Sequence, residues 1–264
     1  MQKILVDIWR HRFALRNLVM KDFRVRYRNM SLGVLWSILN PLVMLGVLVF
    51  VFTFIFPQSG SQPVFPVFVL LGLVCYNFLS LCINTSTVCI VEHASLVKKV
   101  IFPRQVLPLA VVLSQSVHVL IQLGLTFIFI LIYGVPISLT YLWIPLILLI
   151  ELIFVIGAGM AFSALNVFFR DVRYLVESVL AVMFWLSPVF YSLSTVRSNF
   201  PKWLYGVYLL NPLAGFIDGM RQAVLNSANP DPISLAVAFG VSVITLIIGL
   251  YIFNCMEKVF ADLI

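Results

Sequence analysis

Residues 141–169 read YLWIPLILLIELIFVIGAGMAFSALNVFF, a mostly apolar run whose only charged residue is Glu151. A membrane-spanning helix needs about 20 consecutive, mostly apolar residues, so this segment is long enough to cross a bilayer. Five further runs of this kind occur at 32–56, 64–91, 106–133, 174–191 and 233–255. We therefore predict an all-α fold, a polytopic membrane bundle of six transmembrane helices that makes residues 1–264 a single transmembrane domain.

The composition supports this fold class. The 264 residues are 62% hydrophobic and only 10% charged, whereas soluble domains are about 45–50% apolar and about 25% charged. The formal charge of +7 does not indicate nucleic-acid binding, because the basic residues stand beside apolar runs rather than on a soluble face. Cys75, Cys82 and Cys89 recur every seven residues in one run, so we interpret them as packing residues of one helix face rather than as disulfides.

The positions of Lys and Arg predict the orientation. With six spans, fourteen of the 17 Lys and Arg residues fall on the side of the two termini and three fall on the other side. Cytoplasmic segments of membrane proteins hold the excess of positive charge. We predict that both termini are cytoplasmic and that the N-terminal segment is retained as an anchor.

Residues 1–30 are predicted to form a cytoplasmic interface helix. Apolar residues at roughly helical spacing alternate with basic residues between Ile4 and Phe23, which is typical of a helix in the headgroup plane. A basic tail that only sets the topology is the alternative. The candidate residues of this helix are Trp9, Arg16, Lys21, Arg24, Arg26, Tyr27 and Arg28.

The connection 92–105 is predicted to be a docking loop for a cytoplasmic partner. Leu96, Val97 and Phe102 offer an apolar centre, and charged residues surround it, as in an interface hot spot. A solvated basic loop that only sets topology is the alternative. The candidate docking residues are Glu92, Leu96, Lys98, Lys99, Phe102, Pro103 and Arg104.

Polar residues inside the third run form a stripe. Gln115, His118, Gln122 and Thr126 recur at helical spacing, and such residues either bond neighbouring helices or line a polar path. His118 is also a possible partner of Glu151 in a proton relay, although one acid and one histidine give that hypothesis little support.

The segment 192–229 is predicted to be an outer re-entrant region. It contains a helix-like stretch from Leu213 to Leu225 that is too short and too charged to span a bilayer. Asp218 and Arg221 lie three residues apart in that stretch, so we expect them to pair or to meet lipid headgroups.

No motif of a soluble enzyme occurs in the chain: the phosphate-binding loop, the zinc-protease signature, paired Cys-x-x-Cys and the nucleophile elbow are all absent from the sequence. We therefore predict no catalytic residues and no metal site. A membrane-embedded transferase is the alternative, but such an enzyme needs clustered acids or histidines at one membrane face, and Glu92, Asp171, Glu177 and Asp262 are scattered.

An ordered set of short motifs resembles the permease subunits of ABC polysaccharide exporters, the type-2 exporters that move O-antigen, capsule or teichoic acid chains. The motifs are Asp22-Phe-Arg-Val-Arg-Tyr-Arg-Asn, Leu32-Gly-Val-Leu-Trp36-Ser-Ile-Leu-Asn-Pro41, Val100-Ile-Phe102-Pro103-Arg104, Phe169-Arg170-Asp171-Val-Arg173, Trp185-Leu-Ser187-Pro188-Val-Phe-Tyr191, Asn211-Pro212-Leu213 and Phe260-Ala261-Asp262. They cover almost the whole chain, and their order carries the specificity.

The resemblance implies a homodimer in the bacterial inner (cytoplasmic) membrane that encloses one conduit for a lipid-linked polysaccharide. It also implies two copies of a cytoplasmic ABC ATPase subunit, which bind ATP and Mg, with no cofactor in this chain. Residues 92–105 become the coupling loop and residues 192–229 the outer gate helices. An exporter of a drug or small lipid is the alternative.

Conduit and gate candidates come from the membrane stripe and from aromatic residues that can stack on sugar rings. An interfacial aromatic belt is the alternative interpretation of the aromatic residues. The candidates are Trp36, Gln115, His118, Gln122, Tyr191, Trp203, Tyr205 and Tyr208.

Overall fold

The computed structural model describes residues 12–27, 35–55, 64–99 and 102–264, and within these ranges all regular structure is helical. The helices are α1 (Arg12–Tyr27), α2 (Trp36–Phe50), α3 (Phe65–Glu92), α4 (Ala94–Lys99), α5 (Val106–Ile132), α6 (Trp143–Phe168), α7 (Val172–Leu186), α8 (Leu193–Asn199), α9 (Lys202–Leu209), α10 (Pro212–Val224), α11 (Pro232–Met256) and α12 (Phe260–Leu263). A π-helical segment, Val51–Ile55, extends α2. Short 3-10 turns, Leu139–Leu142 and Glu257–Val259, precede α6 and follow α11. The predicted all-α class is confirmed.

Five helices in the described ranges are long and apolar enough to cross a bilayer, namely α2, α3, α5, α6 and α11 with their short extensions. They correspond to five of the predicted runs. The sixth run, 174–191, is α7, which has 15 residues and rises about 22 Å, less than the roughly 30 Å of a hydrocarbon core. The count of six spans therefore stays a prediction.

Helix α3 lies at the centre of the bundle. It packs against α2, α5, α6, α7 and α10, and residues from Val67 to Val74 are buried without interruption. This stretch is apolar on every face, which suits a central position because no face has to meet solvent. The central helix thus supplies a common packing surface for the outer elements.

Helices α6 and α11 form the most extensive pair in the bundle. A Cβ atom on Gly157 would lie 2.5 Å from the Cα of Leu246, and one on Gly249 would collide with the carbonyl oxygen of Gly157. Only glycines allow the two backbones to approach this closely. Gly157 and Gly249 are therefore packing residues of this helix pair.

The bundle has two different ends. One end, which we call the basic end, contains α1 and α4. The turn between α6 and α7 and the residues after α11 lie at this end as well. At the opposite end lie α8, α9 and α10, which make up most of the predicted re-entrant region. Helix α10 begins after Asn211, whose side chain accepts a hydrogen bond from the Leu213 amide, with Pro212 in the first turn.

Candidate functional site

An apolar core that is separate from the one around α3, and that we call the second core, stabilises the basic end. It joins residues of α3, α4, α5, α6, α11 and α12, and Leu18 of α1 packs against it. The fully buried Phe260 of α12 stands edge-on to Phe253 at 5.4 Å between ring centroids. The end of the chain is therefore part of the surface on which the predicted coupling loop rests.

The predicted docking residues divide into two groups. Glu92, Lys98 and Lys99 are exposed. Val97 is buried in the second core, and Leu96 and Phe102 pack against that core from its edge. This inward packing does not favour the predicted role of Leu96 and Phe102 as an outward apolar anchor, because their apolar surface already contacts the bundle.

Polar bonds tie the coupling loop to the end of α11. The guanidinium of Arg104 donates a hydrogen bond to the carbonyl oxygen of Glu257, and Gln105 Nε2 donates to Asn254 Oδ1 at 2.5 Å. Pro103 is half-buried beside these residues. Sequence analysis missed Gln105 and Asn254, since nothing in the sequence links positions 149 residues apart.

Helix α1 lies against α5 at the basic end. Its Asp22 carboxylate stands 3.9 Å from His93 Nε2, next to α4. Arg16 and Lys21 are exposed. Of the other candidates for the interface helix, Trp9 and Arg28 lie outside the described residues, as do the side chains of Arg24, Arg26 and Tyr27.

A cavity of about 370 Å³ lies between α2, α3 and α7. Its polar lining consists of Asn40, Tyr76 and Asn77, and the indole of Trp185 and the ring of Phe184 supply aromatic surface. Amides and aromatic faces are the groups that a sugar ring can use, the first for its hydroxyls and the second for its apolar face. Trp185 is 62% exposed, so the cavity opens on the face formed by α2 and α7.

An aromatic cluster adjoins this cavity through Phe184 and Trp185. Phe190 stacks on Phe52 of the π-helical segment after α2, with 4.8 Å between the ring centroids. It also contacts the rings of Trp185 at 5.4 Å and Phe184 at 6.1 Å. The next residue, Tyr191, donates to the carbonyl oxygen of Leu186 at 2.8 Å. The loop after α7 is therefore held in place by ring contacts and by a hydrogen bond.

The predicted gate residues Tyr191 and Tyr208 meet. Their hydroxyls lie 3.1 Å apart, and burial raises the pKa of the Tyr208 phenol. Tyr205 is partly buried, whereas Trp203 is 71% exposed on α9. Trp36, at the start of α2, is 46% exposed. The structure thus brings one pair of the aromatic candidates together and leaves Trp203 and Trp36 on the surface.

The polar stripe of α5 faces other helices. Gln115 Nε2 donates to Thr85 of α3 at 3.2 Å, and the Nδ1 of His118 lies 2.9 Å from the hydroxyl of Ser37 in α2. Gln122 is 5% exposed. These contacts favour the interpretation that the stripe bonds helices within the protomer over the one in which it lines a conduit.

Glu151 is fully buried in α6. The thiol of Cys75 in α3 interacts with it, but no N–H or O–H group in the described chain donates to either carboxylate oxygen. The hypothesis of a relay with His118 therefore lacks its hydrogen bond.

Arg221 is the most highly coordinated side chain of the opposite end. Its five donors make five hydrogen bonds to backbone carbonyls: two to Phe68, one to Val189, one to Pro188 and one to Tyr191. The guanidinium also lies over the Phe68 ring, 3.3 Å from its centroid. Burial lowers the pKa of Arg221 to about 9, so the side chain stays protonated at neutral pH.

Asp218 and Arg221, which were expected to pair or to meet lipid headgroups, do not pair with each other. Arg221 points into the bundle and uses all of its donors on carbonyls, while Asp218 Oδ2 accepts a hydrogen bond from Gln222 at 2.5 Å. Burial raises the pKa of Asp218, and the Gln222 bond and the Arg221 charge oppose this shift. Sequence spacing placed the two residues on one helix but gave no information on the carbonyls of the loop after α7.

The chain is similar to known proteins over most of its length. The sequence model of the family described as ABC-2 type transporter matches residues 14–225. The O-antigen export system permease protein RfbA of Klebsiella pneumoniae is 32% identical over 246 residues, 92% of each chain. The protein of the same name from Myxococcus xanthus is 30% identical over 262 residues, 99% of each chain. The polysialic acid transport protein KpsM of Escherichia coli is 25% identical over 247 residues, which is 91% of this chain and 92% of its own.

Proposed function

The chain belongs to the ABC-2 type transporter family, and we propose that it exports a lipid-linked polysaccharide of the O-antigen class across the bacterial inner membrane. It is a transporter permease and not an enzyme, and its ATPase is a separate subunit. Relatives named for O-antigen and polysialic acid export match it over more than nine-tenths of their length. The observation that carries the choice of substrate within the structure is the cavity of amides and aromatic rings between α2, α3 and α7.

The proposed conduit lies between two copies of the chain. Helices α2 and α7 both present apolar side chains outward on the side where the cavity opens. These exposed residues are Trp36, Leu39, Val43, Val47, Phe50, Val182 and Trp185. A two-fold arrangement that brings these faces together places two copies of the cavity around one axis. This supports a homodimer.

Cross-linking tests the arrangement. Single cysteines at Val43 or Val182, introduced after Cys255→Ser to remove the exposed native thiol, are expected to cross-link between copies in membranes. A cysteine at Ile244, equally exposed but on α11, serves as the control and should stay monomeric. Cross-linking only at Ile244 would place the conduit elsewhere.

The proposed orientation puts the basic end and both termini in the cytoplasm, as the distribution of Lys and Arg favours. The exposed part of the coupling loop then faces two copies of the ATPase, which hold the ATP and Mg. Since Lys98 and Lys99 are exposed at the end of α4, reversing both charges is expected to abolish co-purification of the ATPase. Lys258→Glu changes an exposed charge at the same end and should leave that interaction intact.

Substrate is tested in cells that lack the gene. Lipid-linked polymer is expected to accumulate on the cytoplasmic side of the inner membrane, where lectin added to intact spheroplasts cannot reach it, and the wild-type chain should restore its appearance outside. Normal surface polymer in the deletion strain, with loss of resistance to a drug instead, would establish the alternative cargo.

A further inference from the structure

A second polar cavity, of about 440 Å³, lies at the opposite end of the bundle. Its walls are the turn after α5 at residues 133–136, the start of α8 and one face of α10. It is separate from the cavity between α2, α3 and α7, with which it shares no lining residue. Its volume falls within the range of about 300–1,000 Å³ that is typical of small-molecule sites.

The walls of this cavity are fixed by hydrogen bonds. Arg221 ties α10 to the first turns of α3 and to the loop that leads into α8. On the other side Thr140 donates to the carbonyl oxygen of Ala223 at 2.6 Å, and the amide of Ala228 donates to the carbonyl of Gln222 at 3.0 Å. A site held in this way is formed before a ligand arrives, which lowers the entropic cost of binding.

The lining offers one carboxylate and several neutral polar groups. The carboxylate belongs to Asp218, whose Oδ2 is oriented by Gln222, and no donor in the described chain reaches its Oδ1. The neutral groups include the hydroxyls of Ser192 and Ser194 and the amide of Asn226. A carboxylate that is oriented by an amide can accept from two neighbouring hydroxyls of one ligand.

The charge of the lining excludes an anion. Arg221 is the only cationic residue of the lining, and all five of its N–H groups already donate to carbonyl oxygens. A phosphate or carboxylate ligand would therefore meet Asp218 without a free cationic donor. An uncharged ligand rich in hydroxyls fits both the carboxylate and the neutral groups.

We propose that this cavity binds a neutral pyranose unit of the exported polymer on the side where the polymer emerges. The proposal rests on the proposed function for the identity of the polymer and for the orientation. In chemical terms the Asp218 carboxylate accepts from two adjacent sugar hydroxyls, while Asn226 and the serine hydroxyls complete the contacts. Tyr133, in the turn after α5, lines the cavity as well and offers an aromatic face.

Saturation-transfer NMR tests the site in the complete permease–ATPase complex in lipid nanodiscs. The probes are the methyl α-pyranosides of glucose, galactose, mannose and N-acetylglucosamine, with methyl glucuronide as the anionic probe. At least one neutral glycoside is expected to bind, and Asp218→Asn is expected to weaken it about tenfold or more, since a hydrogen bond to a charged group is lost. The matched control is Asp231→Asn, because Asp231 caps α11 and Asn caps a helix equally well.

Three outcomes overturn the proposal: no neutral glycoside binds, glucuronide binds more tightly than all of them, or Asp231→Asn weakens binding as much as Asp218→Asn. A second measurement covers loss of folding in the variant. A cysteine at Ser194, on the wall of the cavity, should react more slowly with an impermeant maleimide when the bound glycoside is present. If the complex exports polymer normally but binds no glycoside, only this inference fails, whereas absence of the ATPase from the purified complex refutes the proposed function instead.

Discussion

Replacing Arg221 by Met is expected to detach the loop after α7 from helix α10. Methionine keeps the length and apolar stem of the side chain but removes its five donors. The carbonyls of Pro188 and Val189 lose their only donor in the described chain. Each buried acceptor without a partner costs about 1–3 kcal/mol, and the lost contact of the guanidinium with the Phe68 ring adds about 0.5–2 kcal/mol.

The expected loss is therefore about 3 kcal/mol or more in the free energy of unfolding, or about 6 °C or more in Tm for a chain of this size. The assay is the thermal loss of the monodisperse peak of the purified protein in size-exclusion chromatography. Arg221→Lys keeps the charge but presents three donors from one nitrogen. The Tm of this variant should therefore lie between the Tm of Arg221→Met and that of the wild type.

Two further variants make the reasoning specific. Gly72→Ala places a Cβ 2.8 Å from the Val189 carbonyl oxygen, so it should lower Tm by disturbing the same contact while Arg221 is still present. Arg197→Gln removes an exposed positive charge at the same end and should leave Tm unchanged. A Tm for Arg221→Met equal to that of Arg197→Gln would refute the role assigned to these hydrogen bonds.

Three other perturbations test separate parts of the structure. Gly249→Leu inserts a side chain into the backbone contact between α6 and α11 and should reduce the yield of folded protein. Gly240→Leu is the control, because a Cβ added there meets no atom within 4 Å and the yield should not fall. Equal yields of the two variants would contradict the close approach of the helices. Phe260→Ala removes a fully buried ring, and such a change typically lowers the free energy of unfolding by about 3–5 kcal/mol. Limited proteolysis is therefore expected to cut the coupling loop faster. An unchanged rate would show that the end of the chain does not support this loop. A cysteine at Ser138 should react with an impermeant thiol reagent in intact cells and one at Ser95 should not, and the reverse pattern would invert the topology.

The sequence alone was sufficient to predict the helices whose formation depends on the composition of one continuous segment. The long apolar runs predicted α3, α5, α6 and α11, because burial in a bilayer depends on the length and polarity of a continuous segment. The helix predicted at Leu213 to Leu225 is α10, shifted by one residue, since Asn211 and Pro212 mark its start.

Contacts between distant segments were beyond the sequence. The partners of Arg221 are backbone carbonyls, which every residue possesses, so no side-chain pattern points to them. The sequence indicates that Leu96 and Phe102 form an apolar centre in the coupling loop. It does not indicate whether these side chains pack inward against the bundle or face outward toward a partner. The direction depends on the second core, which residues from six helices build together.

The shortness of α7 has a consequence for the surrounding lipid. A helix that rises about 22 Å is about 8 Å shorter than an average hydrocarbon core. In the proposed orientation, with α7 starting at the cytoplasmic boundary, the reversal at residues 187–191 would lie below the level of the outer headgroups unless the bilayer thins there. Non-helical backbone is tolerated at that depth only where its polar groups are satisfied by the protein, and the guanidinium of Arg221 supplies that satisfaction. The resulting hydrophobic mismatch is expected to make transport sensitive to the acyl-chain length of the lipids. Transport in vesicles of shorter-chain lipids should exceed transport in longer-chain ones, because a thinner bilayer matches the length of α7 without deformation.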